Sequence, residues 1–240
     1  MIRAIYTLIT GVIVTLLASV MTLVTSIFGA YSPGVNFSAR FWTKSILFAA
    51  GAKLEIEGLE KLDLNHNYIF IGNHQSHFDV FAVFSILPVT VRFMAKKELF
   101  RIPIFGWALT SSGSIKIDRS NHEKSIKSMN EALKKIKQGV SVAIFPEGTR
   151  SEDGKIGTFK KGGFVLAAKG GIPIVPFTIS GSRFILRKHS LRVYPGKIKI
   201  IFSDPVQTEN CSYQDRDKLS AKVRDIIISN YDENYNESPS

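Results

Sequence analysis

Apolar and charged positions divide the chain into two unlike parts, and the first part begins with a long uncharged stretch. Residues 4–31 carry no charge over 28 positions, and the nearest charged residues are Arg3 and Arg40. At about 1.5 Å per residue, a helix of this length exceeds the ~30 Å hydrocarbon core of a bilayer. The stretch therefore predicts a helix that spans a membrane or enters it from one side.

Two other interpretations of residues 4–31 are open. A cleaved signal peptide has an apolar region of roughly 7–15 residues with small residues before the cut. Here the run is longer, and Phe28 stands two positions before Ala30. A buried core helix is the second alternative, although it would be unusually long for one. Membrane attachment accounts for both the length and the absence of charge.

A second apolar segment follows at residues 41–52. It combines large apolar side chains with Trp42, and basic residues stand within it and at its two ends: Arg40, Lys44 and Lys53. A tryptophan at headgroup depth and lysines that reach anionic lipid are typical of a helix lying at the membrane interface. We therefore predict a module of N-terminal membrane-attachment helices over residues 1–53.

From residue 54 onward, short apolar runs alternate with helical patterns. The strand-like runs span residues 54–56, 68–71, 91–94, 115–117, 140–145, 174–179, 191–194 and 198–202. Apolar residues recur at helical spacing over 126–136, and a final helix is predicted over 213–229. Strands interleaved with helices predict an α/β domain, with a largely parallel central sheet flanked by helices, over residues 54–229. The polar residues 230–240 predict a frayed tail.

The charge of the chain is strongly positive and unevenly distributed. Lys and Arg number 31 against 20 Asp and Glu, and the formal net charge of +11 favours an anionic partner. Residues 150–199 hold 11 basic residues against Glu152 and Asp153. No module that reads nucleic acid accompanies them, so a phosphate-bearing substrate and an anionic membrane surface are favoured over nucleic acid. The single cysteine, Cys211, excludes a disulfide framework and a multi-cysteine zinc site.

The densest polar cluster, NHQSHFD at residues 73–79, follows a predicted strand. Active-site groups in α/β domains collect where strands end and turn into helices. If the intervening residues coil, Asp79 can hold one imidazole nitrogen of His74 and leave the other free to take a proton from a hydroxyl. Taken alone, however, His74 could be a hydrogen-bonded surface residue, Asp79 a helix cap, and His74 with His77 a metal-binding pair.

Four further blocks carry candidate chemistry: KKELFRIPIFG at 96–106, GSIKIDR at 113–119, FPEGTRS at 145–151 and IPIVPF at 172–177. Arg119 and Arg150 offer planar donor forks to a phosphate. Gly148 lets backbone amides approach an anion. Each of these positions could instead belong to a solvated loop. The IPIVPF block predicts a kinked, buried strand.

The five blocks in this order resemble the glycerophospholipid acyltransferase family, whose typical members are 1-acyl-glycerol-3-phosphate acyltransferases. The resemblance covers residues 73–177 and includes the family's hallmark histidine, four residues and aspartate. It implies a glycerol-3-phosphate acyltransferase-like fold without a cofactor or a metal. It also implies transfer of a fatty acyl group from acyl-CoA or acyl-carrier-protein to the 2-hydroxyl of 1-acyl-glycerol-3-phosphate, giving phosphatidic acid.

Three alternatives to that reaction are open. The same transfer could use another lysolipid or glycerol-3-phosphate as the acceptor. A thioesterase would use water in place of the acceptor hydroxyl. A lipid-binding module of the same fold would have no activity, although the intact His74 and Asp79 pair argues against it.

The resemblance implies roles for the first block. His74 is the general base on the acceptor hydroxyl and Asp79 orients it. The hydroxyl then attacks the acyl thioester directly, without a covalent acyl-enzyme. Asn73 and Ser76 position the block, and His77 stands where the family varies and receives no role.

The resemblance also implies a set of residues that bind the substrate: Ser76, Lys97, Arg119, Glu147, Gly148, Thr149 and Arg150. Residues 147–149 match the motif implicated in acceptor binding. Arg119 matches the arginine assigned to the acceptor phosphate. Arg150 and Lys97 are further candidates for the same anion.

These features together predict where the protein works. The first 53 residues would place the site at a bilayer surface, where the lipid acceptor lies. We expect a membrane-associated protein at the inner or cell membrane, with its catalytic domain on the cytoplasmic side, because thioester donors are made there and the single cysteine is unpaired. The expected partners are a membrane lipid acceptor, acyl-CoA or acyl-carrier-protein and an anionic membrane surface, and no nucleic acid.

Overall fold

A largely parallel sheet runs through the centre of the domain. The computed structural model describes residues 2–118 and 122–235, and within them seven strands form one sheet in the order β1-β7-β6-β2-β5-β3-β4. The strands are β1 Ala52–Glu57, β2 Ile69–Gly72, β3 Val91–Lys96, β4 Ile115–Ile117, β5 Ser141–Ile144, β6 Ile174–Ser180 and β7 Gly196–Phe202. The β6–β7 pair is antiparallel and the other neighbours are parallel. The predicted fold class is confirmed.

Helices cover both faces of the sheet. They are α1 Ile2–Thr25, α2 Pro33–Ala50, α3 Phe78–Ile86, α4 Phe105–Ser111, α5 His122–Ile136, α6 Gly162–Gly170, α7 Ser182–Ile185 and α8 Arg216–Ser229. The core has two halves, one on each face of the sheet, because successive side chains of a strand point to opposite faces. Strand β2 contributes to both. Ile69 and Ile71 pack in a cluster with α5, α6 and α8. Phe70 packs on the opposite face in a cluster with α2 and α3.

The first two helices form a hairpin with an unusual distribution of side chains. Helix α1 extends about 36 Å, and the segment Ile2–Phe28 is long and apolar enough to cross a membrane, with a mean hydropathy of 2.3 in its most apolar 18-residue window. Its buried side chains include the small polar Thr7, Ser19 and Thr22. Large apolar side chains point outward instead: Ile5, Leu8, Ile9, Val12, Ile13, Leu16, Leu17, Val20 and Val24. Only 28% of the most apolar window is buried, so α1 is not the buried core helix of the alternative interpretation.

Helix α2 differs from the predicted interfacial helix. It begins at Pro33, before residue 41, because the Ser32 hydroxyl accepts the Val35 N–H and proline suits the first helical turn. The indole of Trp42 donates to Thr15 Oγ1 over 2.8 Å and packs edge-on against Phe81, so it joins α1, α2 and α3. Its place at headgroup depth stays a prediction. The boundary at residue 53 stays a prediction.

Residues 191–194 are the one predicted strand that does not form. They belong to an irregular loop between α7 and β7, and Leu191 is 90% exposed. The alternation of apolar and basic residues there spans only four positions. Pro195 follows directly and has no backbone N–H for a sheet ladder.

The C-terminal segment is ordered over most of its described length. The Asn230 amide donates to Ser203 Oγ over 3.1 Å, and the Asp232 N–H donates to Ser180 Oγ over 3.0 Å. The Tyr235 hydroxyl donates to Glu55. The predicted fraying is therefore wrong for residues 230–235, because side chains of the sheet supply partners that the polar sequence could not reveal. Residues 236–240 lie outside the described residues.

Candidate active site

The turn between β2 and α3 brings His74 and Asp79 together. Nδ1 of His74 lies 2.8 Å from Oδ2 of Asp79. The same oxygen accepts the backbone N–H groups of Gln75 at 2.6 Å and Ser76 at 2.8 Å. Asp79 is fully buried in the first turn of α3. It therefore fixes the turn before α3 and orients the imidazole, whereas the N-cap of α3 is His77 and not Asp79.

The imidazole of His74 is fixed by a stacking contact as well. Its ring lies 4.3 Å from that of Phe145, centroid to centroid, with 18° between the planes. A proton on Nδ1, donated to the carboxylate, leaves Nε2 as an acceptor. His74 also lines a cavity. The arrangement can take a proton from a hydroxyl group that enters this cavity.

Glu147 connects the loop after β5 to the loop after β2. Its side chain is buried: Oε1 accepts the His74 N–H at 2.7 Å, and Oε2 accepts the Gly157 N–H at 3.0 Å. Burial raises the pKa of Glu147, while the N–H bonds from Gly157 and His74 oppose that rise. The Ser151 N–H donates to the His74 carbonyl at 2.8 Å. Glu147 thus holds the backbone of the catalytic turn.

The rest of the FPEGTRS block faces the cavity. Gly148, Thr149 and Arg150 all line it, together with His77. Gly148 has φ of +74°, a left-handed conformation that favours glycine. Burial is the main cause that lowers the pKa of His77, and the positive charge of Arg150 adds to it. The positive charge of Arg150 therefore lies close to His77 at the cavity.

Of the other residues that the sequence predicted for the site, three contact the backbone or another side chain of the protein. Ser76 Oγ donates to the Leu186 carbonyl at 2.8 Å. Asn73 exchanges two hydrogen bonds of 2.8 Å with the backbone of Ile179 and so ties β2 to β6. Lys97 forms an ion pair of 3.0 Å with Asp118. The predicted phosphate ligand Arg119 lies outside the described residues.

The cavity encloses about 600 Å³ between the N-terminal hairpin and the sheet. Its walls are largely apolar, and α1 and α2 contribute small side chains: Thr15, Ala18, Ser19, Thr22, Val35, Ser38 and Ala39. Along β3, alternate residues Arg92, Met94 and Lys96 line one wall, which spans roughly 13 Å at a strand rise of about 3.3 Å per residue. His74 follows β2, which runs in the same direction as β3, so the chemistry lies at the Lys96 end.

The sequence did not predict this cavity, nor that Arg92 lines it. The buried Arg92 donates to the Ala30 carbonyl at 2.9 Å, to Asn36 Oδ1 at 3.0 Å and to the Ser112 carbonyl at 2.5 Å. Burial lowers its pKa to about 10. Arg92 therefore joins the hairpin, β3 and the end of α4 at the far end of the cavity.

Possible metal sites were considered for all side chains that the structure describes. In residues 2–118 and 122–235, no group of three or more His, Cys, Asp or Glu side chains is arranged to hold a metal ion. His77 lies near His74 and Arg150, and the Nδ1 atom of His74 is engaged by Asp79. The described geometry gives the His74 and His77 pair no third ligand.

Comparison with known proteins identifies relatives by sequence. The family model described as Acyltransferase matches residues 53–180, more than half of the chain. The chloroplastic 1-acyl-sn-glycerol-3-phosphate acyltransferase BAT2 of Brassica napus is 35% identical over 173 residues, which cover 71% of this chain and 50% of that protein. The 1-acyl-sn-glycerol-3-phosphate acyltransferase of Limnanthes alba is 36% identical over 186 residues, which cover 77% of this chain and 66% of that protein.

A solved structure is similar over almost the whole chain. The crystal structure of the 1-acyl-sn-glycerophosphate (LPA) acyltransferase PlsC from Thermotoga maritima matches with a TM-score of 0.81 and 26% sequence identity. The match covers 94% of this chain and 92% of that one. By contrast, the chain spans about half the length of the Brassica relative that it matches. From the family model, the ordered motifs and the fold, the chain belongs to the acyltransferase family.

Proposed function

We propose that this protein is a 1-acyl-sn-glycerol-3-phosphate acyltransferase, which moves a fatty acyl group from a thioester to the acceptor's 2-hydroxyl and forms phosphatidic acid. The observation that carries the proposal is the His74–Asp79 pair at a largely apolar cavity that Arg150 also lines. The acceptor carries a hydroxyl, a phosphate and a fatty acyl chain. His74 suits the hydroxyl, Arg150 suits the phosphate, and the apolar cavity suits the acyl chain. Relatives named for this activity support the substrate class.

In the proposed reaction, Nε2 of His74 accepts the proton of the acceptor hydroxyl while the hydroxyl oxygen bonds to the thioester carbonyl carbon. A tetrahedral intermediate forms, the C–S bond breaks, and the departing sulfur takes the proton from the imidazolium. The products are an ester and a free thiol. Asp79 stabilises the imidazolium through Nδ1, and general-base catalysis of this kind contributes about 10²–10⁴-fold in rate.

The acceptor phosphate is proposed to bind beside Arg150. A guanidinium presents a planar fork that matches phosphate oxygens. Lys96 lines the same cavity and adds a second positive charge, and its partner Glu98 lies farther away, at 3.8 Å, than Asp118 does from Lys97. The family resemblance assigns Arg119 to the acceptor phosphate as well, and we retain that assignment in the proposal. Lys97 is a weaker candidate because Asp118 already pairs with it.

The cavity is proposed to hold a fatty acyl chain. Its volume lies within the range of about 300–1,000 Å³ that is usual for small-molecule sites, and apolar side chains from the hairpin and the sheet line it. Burial of a chain there would remove apolar surface from water and keep the thioester near His74. Either acyl-CoA or acyl-carrier-protein can serve as the donor in this scheme, which needs no cofactor.

Helix α1 is proposed to enter the membrane, with the catalytic domain on the cytoplasmic side. The outward side chains of α1 are apolar, and Phe37 and Phe48 of α2 are 62% and 82% exposed. An apolar surface of this extent marks an interaction site, and an anionic membrane surface suits the basic residues nearby. Replacing Ile9 and Ile13 by lysine should weaken co-sedimentation with phosphatidylglycerol vesicles, and full retention would oppose this placement.

An acceptor panel tests the proposed function. Purified full-length protein in detergent would receive oleoyl-CoA or oleoyl-acyl-carrier-protein with lysophosphatidic acid, glycerol-3-phosphate, lysophosphatidylcholine or no acceptor. We expect phosphatidic acid, detected by mass, with lysophosphatidic acid and little thiol release without an acceptor. Thiol release at an equal rate without any acceptor would show a thioesterase instead.

A further inference from the structure

The loop that follows the FPEGTRS block reaches the catalytic turn through its backbone. At one end of this loop, Ser151–Gly157, the Ser151 N–H donates to the His74 carbonyl at 2.8 Å. At the other end, the Gly157 N–H donates to Glu147 Oε2 at 3.0 Å, and Oε1 of the same carboxylate accepts the His74 N–H. The position of the loop therefore decides whether His74 and Glu147 keep these partners.

The other side of the loop is held by the C-terminal part of the chain. The Tyr231 hydroxyl donates to the Gly154 carbonyl at 2.6 Å. From helix α8, Arg224 donates to the Ile156 carbonyl at 3.1 Å through Nη2 and to the Gly157 carbonyl at 3.3 Å through Nε. Three successive contacts thus fix the loop from behind, on the side away from His74.

We propose that Arg224 and Tyr231 are positioning residues for the active site, which act through the Ser151–Gly157 loop on His74 and Glu147. The inference rests on the proposed acyltransferase function. Neither side chain belongs to the five sequence blocks, and both lie more than 65 positions from the carbonyls they contact. The fold alone brings them to the loop.

The charge on Glu147 gives this arrangement a measurable signature. The Gly157 N–H bond lowers the pKa of Glu147 against the larger effect of burial. If the loop loosens and this bond weakens, the pKa of Glu147 should rise. The other titratable groups facing Glu147 are His74 and Asp79 on the turn after β2, and Tyr231. Arg150 lies three positions after Glu147, directly before the loop. Tyr231 has a pKa raised to about 12, chiefly by burial, and stays neutral across the working range.

The test compares Tyr231→Phe and Arg224→Met with matched controls in the full-length protein. Tyr213→Phe alters an exposed tyrosine that packs on Arg216, and Arg216→Met alters another arginine of the same helix. The readouts are kcat and KM for lysophosphatidic acid and oleoyl-CoA, and the thermal midpoint as a function of pH. Arg224→Lys, which keeps a donor, should recover part of any loss.

We expect each test variant to lower kcat/KM by roughly 3- to 10-fold, the loss of about one hydrogen bond. The loss should lie mainly in kcat, because neither side chain lines the cavity. The thermal midpoint of each variant should also fall more steeply than that of the wild type as the pH rises through the pKa of Glu147. The controls should match the wild type. In a Glu147→Gln background, Tyr231→Phe should have a smaller effect, because the two changes act on one network.

A purely structural role would lower the thermal midpoint equally at every pH and leave kcat unchanged at temperatures where the variant is folded, and that result would overturn the inference. So would unchanged kinetics in both variants. A wild-type protein that transfers no acyl group to any acceptor would instead refute the proposed function, so the two failures are distinguishable.

Discussion

Oδ2 of Asp79 accepts both the imidazole N–H of His74 and the backbone N–H groups of Gln75 and Ser76. One buried carboxylate oxygen therefore sets the orientation of the ring and the shape of the turn that carries it. His66 and Asp63 form a pair between the same atom types at 2.7 Å, but both of these side chains are exposed. The exposed pair is an internal control for experiments on the buried one.

Replacing Asp79 by asparagine should lower kcat by about 10²-fold or more, because an amide carries no charge to stabilise the imidazolium. The acceptor KM should change little, since Asp79 is buried beneath His74. Steady-state kinetics measures both, with Asp63→Asn as the control. An unchanged kcat in Asp79→Asn would remove the aspartate from the mechanism.

Glu147 should make stability depend on pH. Burial raises the pKa of its carboxyl. A carboxyl whose pKa is higher in the folded chain stabilises the fold below its unfolded pKa, and this contribution is lost as the pH rises through the folded pKa. The thermal midpoint of the wild type minus that of Glu147→Gln should therefore fall as the pH rises from roughly 4 towards neutrality. A difference that stays constant or grows with pH would contradict this assignment.

Arg92 should be important for attaching the N-terminal hairpin to the sheet. Arg92→Met removes the donors to Ala30, Asn36 and Ser112 and leaves acceptors without partners. We expect a loss of about 2–4 kcal/mol in the free energy of unfolding, equivalent to a fall of roughly 5–15 °C in the thermal midpoint. Arg101→Met, at an exposed arginine, is the control. Equal midpoints for the two variants would show that the hairpin does not depend on Arg92.

Ala18 should control which acyl chains the cavity accepts. Its side chain lines the cavity from α1, whereas that of the neighbouring Leu17 is 53% exposed. Ala18→Phe should fill part of the volume and reduce kcat/KM for long-chain thioesters more than for short-chain ones, since each methylene is worth about 1–3 kcal/mol in such a pocket. Leu17→Phe should leave the preference unchanged. A chain-length series of acyl-CoA donors measures both variants, and equal losses at every length in Ala18→Phe would argue against an acyl site here.

The sheet was predictable from sequence where a strand is buried on both faces. Residues 69–71 are continuously apolar and residues 174–179 are apolar except for Thr178, which is typical of central parallel strands. Residues 191–194 include Arg192 and lie in a solvent-exposed loop, and four positions are too few to distinguish a strand from such a loop. The order of the tail over residues 230–235 depends on Ser180 and Ser203, which are distant in sequence.

The His74–Asp79 contact was predictable because the two residues lie five positions apart and their contact is local. The cavity was not, because its walls come from α1, α2, β3 and α4 and meet only in the folded chain. The period of a strand could nevertheless have favoured Lys96 over Lys97. Arg92, Met94 and Lys96 share one face of β3, and Lys97 begins the next turn.

The most direct test of the central claim compares His74→Ala with His66→Ala in acyl transfer from oleoyl-CoA to lysophosphatidic acid. We expect His74→Ala to lower kcat by about 10²–10⁴-fold while the fold is retained, and His66→Ala to be as active as the wild type. Phosphatidic acid formation at the wild-type rate by a folded His74→Ala protein would contradict this claim.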